Sequence, residues 1–299
     1  VSGISLADPA ATYLCLELQV TAGAEDFFLA EMGSLGTLGL EKLGTGSAGC
    51  ITYLAYFRLP AAVAVHMFAA GDRPVRGVEL VGSREVPGQD WLVRYRETAQ
   101  PFALGKRWWI DPRDPGASQM QSPEGRKLLR IPAWTAFGTG SHVSTALLVR
   151  LLEDLAFDSP RVMDLGTGTG ILSIIALELG AAEVIALDID PVAAFIARQI
   201  CRLNGTLPRI VAGEVQALQC EVHGGIFDLV LANVIPSRLR SGLPRMVEAV
   251  KSGGAVLLSG ILVDQEFDYL KELAALGLRR KSRLEAQGWV ALCMEKAPR

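Results

Sequence analysis

The sequence predicts an α/β protein: a doubly wound sheet closing in an antiparallel hairpin, preceded by a small α+β domain. Three observations predict it. From about residue 131 onward, strand-like apolar runs alternate with helix-like segments, the pattern of a parallel sheet covered on both faces. One strand-to-helix joint, Gly166-Thr167-Gly168-Thr169-Gly170, is built from alternating glycines. The chain also ends in two strand-like runs joined by Gln287-Gly288, a hairpin signal.

The elements follow in order. Residues 1–84 read as strands and helices with glycine-rich joints. Tyr13 to Val20 is a strand, Ala24 to Leu35 an amphipathic helix, and Ile51 to Arg58 a strand rich in aromatic and β-branched residues. Ala61 to Ala70 is a helix with Pro60 suited to its first turn, and Val75 to Val81 a strand. This suggests a β-α-β-β-α-β, ferredoxin-like module. Residues 85–130 read as a linker, with a helix over Asp90–Arg96, a short strand over Lys106–Ile110, and a proline- and glycine-rich loop over Asp111–Gly125. Trp91, Trp108 and Trp109 either anchor that linker to the following domain, the favoured reading, or touch a partner.

Residues 131–299 form the third segment. A helix starts at Ser144, and Val162, Met163 and Leu165 end a buried strand. Helix Ile171–Leu177, strand Glu183–Asp188, helix Pro191–Leu203, strand Arg209–Ala212 and strand Phe227–Asn233 follow. A helix over Leu239–Lys251, interrupted near its start by Gly242 and Pro244, precedes strand Ala255–Ser259 and helix Asp264–Leu276. Leu278–Leu284 and Trp289–Met294 make the closing hairpin. One antiparallel strand at the end of a parallel sheet favours a methyltransferase sheet over a plain dinucleotide domain.

Composition narrows the function. A length of 299 residues suggests two domains, and half of the residues are apolar, enough for substantial cores. The formal net charge of −3 gives no basic field to recruit nucleic acid, and Arg279, Arg280, Lys281 and Arg283 read as a solvated face. Cys15, Cys50, Cys201, Cys220 and Cys293 show no C-x-x-C pair, and His66, His142 and His223 share no ligand spacing, so no metal is expected. Scattered thiols fit a reducing cytoplasm. Val1-Ser2-Gly3-Ile4-Ser5 lacks the basic start of a secretory signal, and the apolar runs are too short to span a bilayer.

The glycine joint points to a cofactor. Gly166, Gly168 and Gly170 permit a tight turn and close approach of a ligand to backbone. A dinucleotide fingerprint needs G-x-G-x-x-G, whereas here Ile171 occupies the third-glycine position. The spacing argues against NAD and toward S-adenosylmethionine. Asp188, ending the next strand about 20 residues further on, is placed to accept hydrogen bonds from ribose hydroxyls, while Asp190 before Pro191 reads as a helix cap. Phe137-Gly138-Thr139-Gly140-Ser141-His142 is placed across the mouth of this cradle. Thr145 is either a cofactor partner or a cap of its own helix, and His142 either touches the methionine end or substrate or is a satisfied loop residue. Asn233, at the carboxyl end of its strand, either accepts from a substrate amine or ties down the Pro236 turn.

Taken together with Asp188-Ile189-Asp190-Pro191, Asn204-Gly205, Ala232-Asn233-Val234-Ile235, Ser259-Gly260-Ile261-Leu262 and Gly288-Trp289-Val290-Ala291-Leu292, these motifs resemble the ribosomal protein L11 methyltransferases. The likeness is close over 131–299 and weaker before it. It implies a Rossmann-like methyltransferase domain, an N-terminal substrate-recognition domain, methylation of ribosomal protein amines, and cofactor contacts at Thr145, Gly166, Asp188 and Asn233. With them go Gly168, Gly170, Phe137 and Thr139 as cofactor-binding candidates, and Asn233 and His142 as catalytic candidates. The chain departs from the family at Ile131-Pro132-Ala133-Trp134-Thr135-Ala136, where an acid and a glycine are usual, and at Val143, where proline is usual. The cofactor half is intact and the substrate-side loop altered. Methylation of another protein lysine or a small amine, and a non-catalytic ribosome-assembly role, are the alternatives.

Overall fold

The computed structural model describes residues 12–25, 28, 32, 39–45, 49–58, 77–87, 100–113, 120–132, 140–156, 158–214 and 225–298. It divides into two compact units, residues 1–100 with 133–137 and residues 101–132 with 138–299.

The first unit holds a four-stranded sheet of β1 (Thr12–Thr21), β2 (Gly39–Thr45), β3 (Cys50–Arg58) and β4 (Val78–Pro87). Its order is β2-β3-β1-β4, and every pairing is antiparallel. Alternate residues of a strand share a face. Leu14, Leu16, Leu18 and Val20 of β1 therefore join Ile51, Tyr53, Ala55 and Phe57 of β3 in one core with Phe28 and Met32. The expected strands at 13–20 and 51–58 form as read, whereas the one expected at 75–81 runs instead over Val78–Pro87. Sequence patterning does not mark β2, because Gly39 and Gly44 dilute its alternation. Glu25, Phe28 and Met32 are helical, within the helix expected over 24–35. The helices expected at 61–70 and 90–96 lie outside the described residues.

The second unit opens with a three-stranded sheet, β5 (Phe102–Leu104), β6 (Trp108–Asp111) and β7 (Lys127–Arg130), in that order. It is bonded to the rest of the unit at both ends. The Glu153 carboxylate accepts from the Lys106 amide (2.8 and 3.1 Å) and the Arg107 amide (2.9 Å). The Asn204 side chain accepts from the Arg130 amide at 2.8 Å and donates to the Arg130 carbonyl at 2.7 Å.

Then come α1 (Val143–Glu153), β8 (Arg161–Leu165), α2 (Ile171–Glu178), β9 (Glu183–Asp188), α3 (Pro191–Leu203), β10 (Arg209–Ala212) and β11 (Phe227–Asn233). They are followed by α4 (Pro236–Leu239), α5 (Leu243–Ala249), β12 (Val250–Leu262), α6 (Val263–Ala275), β13 (Leu278–Ala286) and β14 (Trp289–Lys296). The sheet order is β10-β9-β8-β11-β12-β14-β13, parallel from β10 to β12, with β14 antiparallel to both neighbours. This is the mixed α/β sheet the sequence predicts. Chain order reverses between β8 and β11, so the ligand crevice of such a sheet lies beyond the carboxyl ends of β8, β9 and β11. Its core includes Met163, Ile185, Phe227, Val230, Val256, Leu258, Val290 and Leu292, all 1 % exposed or less. The single helix expected over 239–251 is instead two short helices, α4 and α5, separated at Gly242. Pro244 sits in the first turn of α5, where its missing amide costs nothing, and Val250 and Lys251 already belong to β12.

Candidate functional site at the carboxyl ends of β8, β9 and β11

The glycine turn continues the pairing of β8 with β9. The Gly166 and Thr167 amides both donate to the Leu187 carbonyl, at 2.9 and 3.0 Å, and the Gly170 amide donates to the Thr167 carbonyl at 2.8 Å. Gly166, Gly168 and Gly170 have φ of 69°, 56° and 82°, the left-handed region that glycine enters without steric cost. Two of them also face close neighbours. A Cβ on Gly166 would stand 2.6 Å from Val234 Cγ2, and one on Gly170 would stand 2.9 Å from Cys201 Sγ of α3. The third glycine thus serves close packing between α2 and α3.

Two carboxylates hold the turn. Asp188, the last residue of β9, accepts from the Gly168 amide at 2.9 Å through Oδ2 and from the Asp190 amide at 3.0 Å through Oδ1. Burial raises its pKa above the ordinary carboxylate value. Asp190 caps α3, accepting from the Val192 amide at 2.8 Å, as its place before Pro191 implies. Asp164 lies beneath the turn with no solvent exposure. Its Oδ2 accepts from the Thr167 and Ser173 hydroxyls, at 2.7 and 2.6 Å. Its Oδ1 has no hydrogen-bond partner among the described residues, and burial pushes its pKa up to about 6. Asp164 is not among the sequence-derived candidates; the signal that marks it is an acid inside an otherwise apolar strand.

Asn233 ends β11, and its Nδ2 donates to Thr145 Oγ1 at 2.9 Å. Its Oδ1 is buried without a hydrogen-bond partner among the described residues. The backbone that follows is pinched between two glycines. Besides the Gly166–Val234 approach, a Cβ on Gly260 (φ 82°) would stand 3.1 to 3.3 Å from the Val234 carbonyl and the Ile235 nitrogen. Thr145 sits in the first turn of α1 and is 4 % exposed.

His142 caps α1. Its Nδ1 accepts from the Ser144 amide at 3.2 Å and lies 2.7 Å from the Ser144 hydroxyl. A backbone N–H can only donate, so Nδ1 is the acceptor and Nε2 carries the proton. Burial lowers the histidine pKa, which keeps the ring neutral, and the ring meets Trp289 edge-on at 4.8 Å. Gly140 (φ 87°) precedes it, where a Cβ would stand 2.6 Å from Ile171 Cδ1. Phe137 and Thr139 lie outside the described residues. The fold therefore brings Thr145 onto Asn233 and Gly168 onto Asp188, while His142 is bonded into its own helix start. Among the described residues no group of three or more His, Cys, Asp or Glu side chains is placed to hold a metal.

A parallel sheet whose order reverses beside β8, one antiparallel strand, a glycine turn after β8 and an acid gripping that turn define an α/β methyltransferase. The chain belongs to the ribosomal protein L11 methyltransferase (PrmA) family, whose model matches residues 52–297. The ribosomal protein L11 methyltransferase of Symbiobacterium thermophilum is 36 % identical over 222 residues, covering 71 % of this chain and 68 % of the relative. That of Synechococcus sp. RCC307 is 32 % identical over 269 residues, covering 78 % of this chain and 89 % of the relative. A solved ribosomal protein L11 methylase from Lactobacillus delbrueckii subsp. bulgaricus superposes with a TM-score of 0.60 at 26 % identity, over 67 % of this chain and 100 % of that one. Among the described residues no helix is long and apolar enough to cross a membrane.

Proposed function

We propose that this chain uses S-adenosylmethionine to methylate amines of ribosomal protein L11, lysines foremost. The observation that carries the reading is the buried, unpartnered Asn233 Oδ1, an acceptor beside a glycine turn suited to a nucleoside cofactor. The residues present fit that cofactor. Gly166, Gly168 and Gly170 keep side chains off the turn, and each Asp188 oxygen accepts from one backbone amide and has further lone-pair capacity for ribose hydroxyls. Thr145 and Asn233 would hold the methyl-donor end, and Phe137 and Thr139 join the cofactor set on the family resemblance alone.

When bound, S-adenosylmethionine supplies an electrophilic methyl on a sulfonium, with a neutral sulfur as leaving group. The protein's own task is positioning. A lysine amine has a free pKa of about 10.4, so it must shed a proton before it attacks. Desolvation at the crevice favours the neutral amine, and the proton leaves to water. His142 is assigned a donor role through Nε2–H, because its Nδ1 is occupied by Ser144. Asn233 Oδ1 accepts one amine hydrogen and thereby aims the nitrogen lone pair.

We also read the first unit as the ferredoxin-like substrate-recognition domain. Its antiparallel β2-β3-β1-β4 order supports this. The proposed division is a recognition domain over 1–84 joined through 85–130 to a catalytic domain over 131–299, with β4 of the first unit running on to Pro87 and β5, β6 and β7 of the joining region packed as part of the second unit, in a protein of the cytoplasm. Neither nucleic acid nor membrane enters the proposal. Titration calorimetry tests the cofactor site. Asp188→Ala should weaken S-adenosylmethionine binding about tenfold or more, the loss expected of a charged hydrogen-bond acceptor, and unchanged affinity would overturn the assignment. Labelled methyl transfer to purified L11 tests the substrate. Label on a different protein or on a small amine alone would favour the reading prompted by Pro132, Trp134 and Val143.

A further inference from the structure

We infer that Asp164, buried beneath the glycine turn, is the counter-charge by which the site holds the sulfonium cofactor more tightly than the neutral thioether product left after transfer. The inference rests on the S-adenosylmethionine reading above. Cofactor and product share the adenosine and the amino-acid groups. They differ by one methyl and one positive charge. Hydrogen bonds to ribose or to the amino-acid end serve both ligands alike, whereas a negative charge under the turn separates them.

The arrangement around Asp164 calls for such a charge. The residue sits in β8 one position before its end, where the glycine turn begins, and has no solvent exposure. Its Oδ2 accepts from the Thr167 hydroxyl of the turn and the Ser173 hydroxyl of α2, while Oδ1 has no hydrogen-bond partner among the described residues. The oxygen of an asparagine would accept both hydroxyls as well, so holding the turn does not require an acid. The acid is also unfavourably placed. Asp188 of β9, which grips Gly168 in the same turn, bears on Asp164 as a like charge. Ala186 of β9 and Leu231 of β11 flank Asp164 in the sheet and bring no charge. Cys201 of α3 stays a neutral thiol, pushed up to about 12 by burial, and His142 at the start of α1 is kept neutral by burial. A cation lodged at the turn relieves this arrangement, and a sulfonium is one.

Linkage gives the sign of the effect. A positive ligand favours the ionised carboxyl, so its binding expels the proton Asp164 holds and acid weakens it; a neutral ligand does neither. Burial raises the Asp164 pKa to about 6, which sets the range to measure. Asp188, whose pKa burial also raises, would bear on the ribose of both ligands, so the ratio of the two affinities removes it. Calorimetry of the full chain near pH 6, in two buffers of unlike ionisation enthalpy, should show roughly half a proton released per S-adenosylmethionine and close to none per S-adenosylhomocysteine. The ratio of product Kd to cofactor Kd should fall about fivefold from about pH 7.5 to about pH 5. Asp164→Asn should weaken S-adenosylmethionine about tenfold at the higher pH, keep S-adenosylhomocysteine within about threefold, and level the ratio across pH. Equal proton release with the two ligands, or a ratio that keeps its slope in Asp164→Asn, would overturn the inference and move the effect to Asp188 or His142. The proton count comes from wild-type protein, so it decides even where Asp164→Asn folds poorly. If the wild-type chain binds neither ligand at any pH, the cofactor reading falls and the inference with it.

Discussion

Asp164 shows how one residue under a binding turn couples the fold to pH. Its pKa is raised from 3.8 to about 6 by burial, against two hydroxyl bonds that lower it. For an acid whose folded pKa lies above its unfolded value, the stabilising contribution is complete below the unfolded pKa and is lost as pH rises through the folded one. Stability carried by Asp164 should therefore fall between about pH 4 and pH 6, by on the order of 3 kcal/mol at most. Asp164→Asn should flatten the curve over that interval; urea midpoints measured from pH 4 to 8 check it, and an unaltered slope would refute the assignment. Gly166 makes a second residue-level case. Alanine there meets both a φ of 69° and a contact of 2.6 Å with Val234, so Gly166→Ala should cost about 1–3 kcal/mol in chemical denaturation.

At the scale of elements, α3 starts at a cap whose worth can be isolated. Asp190→Ala removes the bond to the Val192 amide and should destabilise the protein by about 1 kcal/mol, read from denaturant midpoints, without touching the Asp188–Gly168 bond. This helix is also where the sequence is most legible: β9, α3, β10 and β11 fall at their expected boundaries because each is bounded by a turn or a cap that local chemistry dictates. Other elements escape for physical reasons. β2 has no continuous alternation to read across Gly39 and Gly44, and Gly242 splits an apparently single helical pattern. The small β5-β6-β7 sheet is fixed by Glu153 and Asn204, residues 46 to 74 positions away in the chain, which no local window contains. In the site, the glycine turn and Asp188 were legible from spacing. The Thr145–Asn233 bond joins residues 88 apart, and the Gly260–Val234 approach is equally non-local, so only the fold brings them together.

For the molecule as a whole, the cofactor should act on one unit. Ligand that binds only the folded state adds RT ln(1 + [L]/Kd), about 2.7 kcal/mol at a hundredfold excess over Kd. Hydrogen exchange with S-adenosylmethionine should slow at the 166–170 turn and around Asp188 and Asn233, with the amides of β1 and β3 unchanged; protection spread evenly over both sheets would contradict the assignment of the site to the second unit. The sheet order has one more effect, on what the molecule avoids. A sheet's outermost strands present unpaired backbone and invite another chain to add on. Here one flank is β10, only four residues long. The other is β13, whose Arg280 and Arg283 pair with Glu266, whose Lys281 pairs with Glu295, and whose Arg279 is exposed. The cationic run that composition reads as a mere solvated surface lies along the longer outer strand of the sheet, where charged side chains disfavour the addition of a further strand.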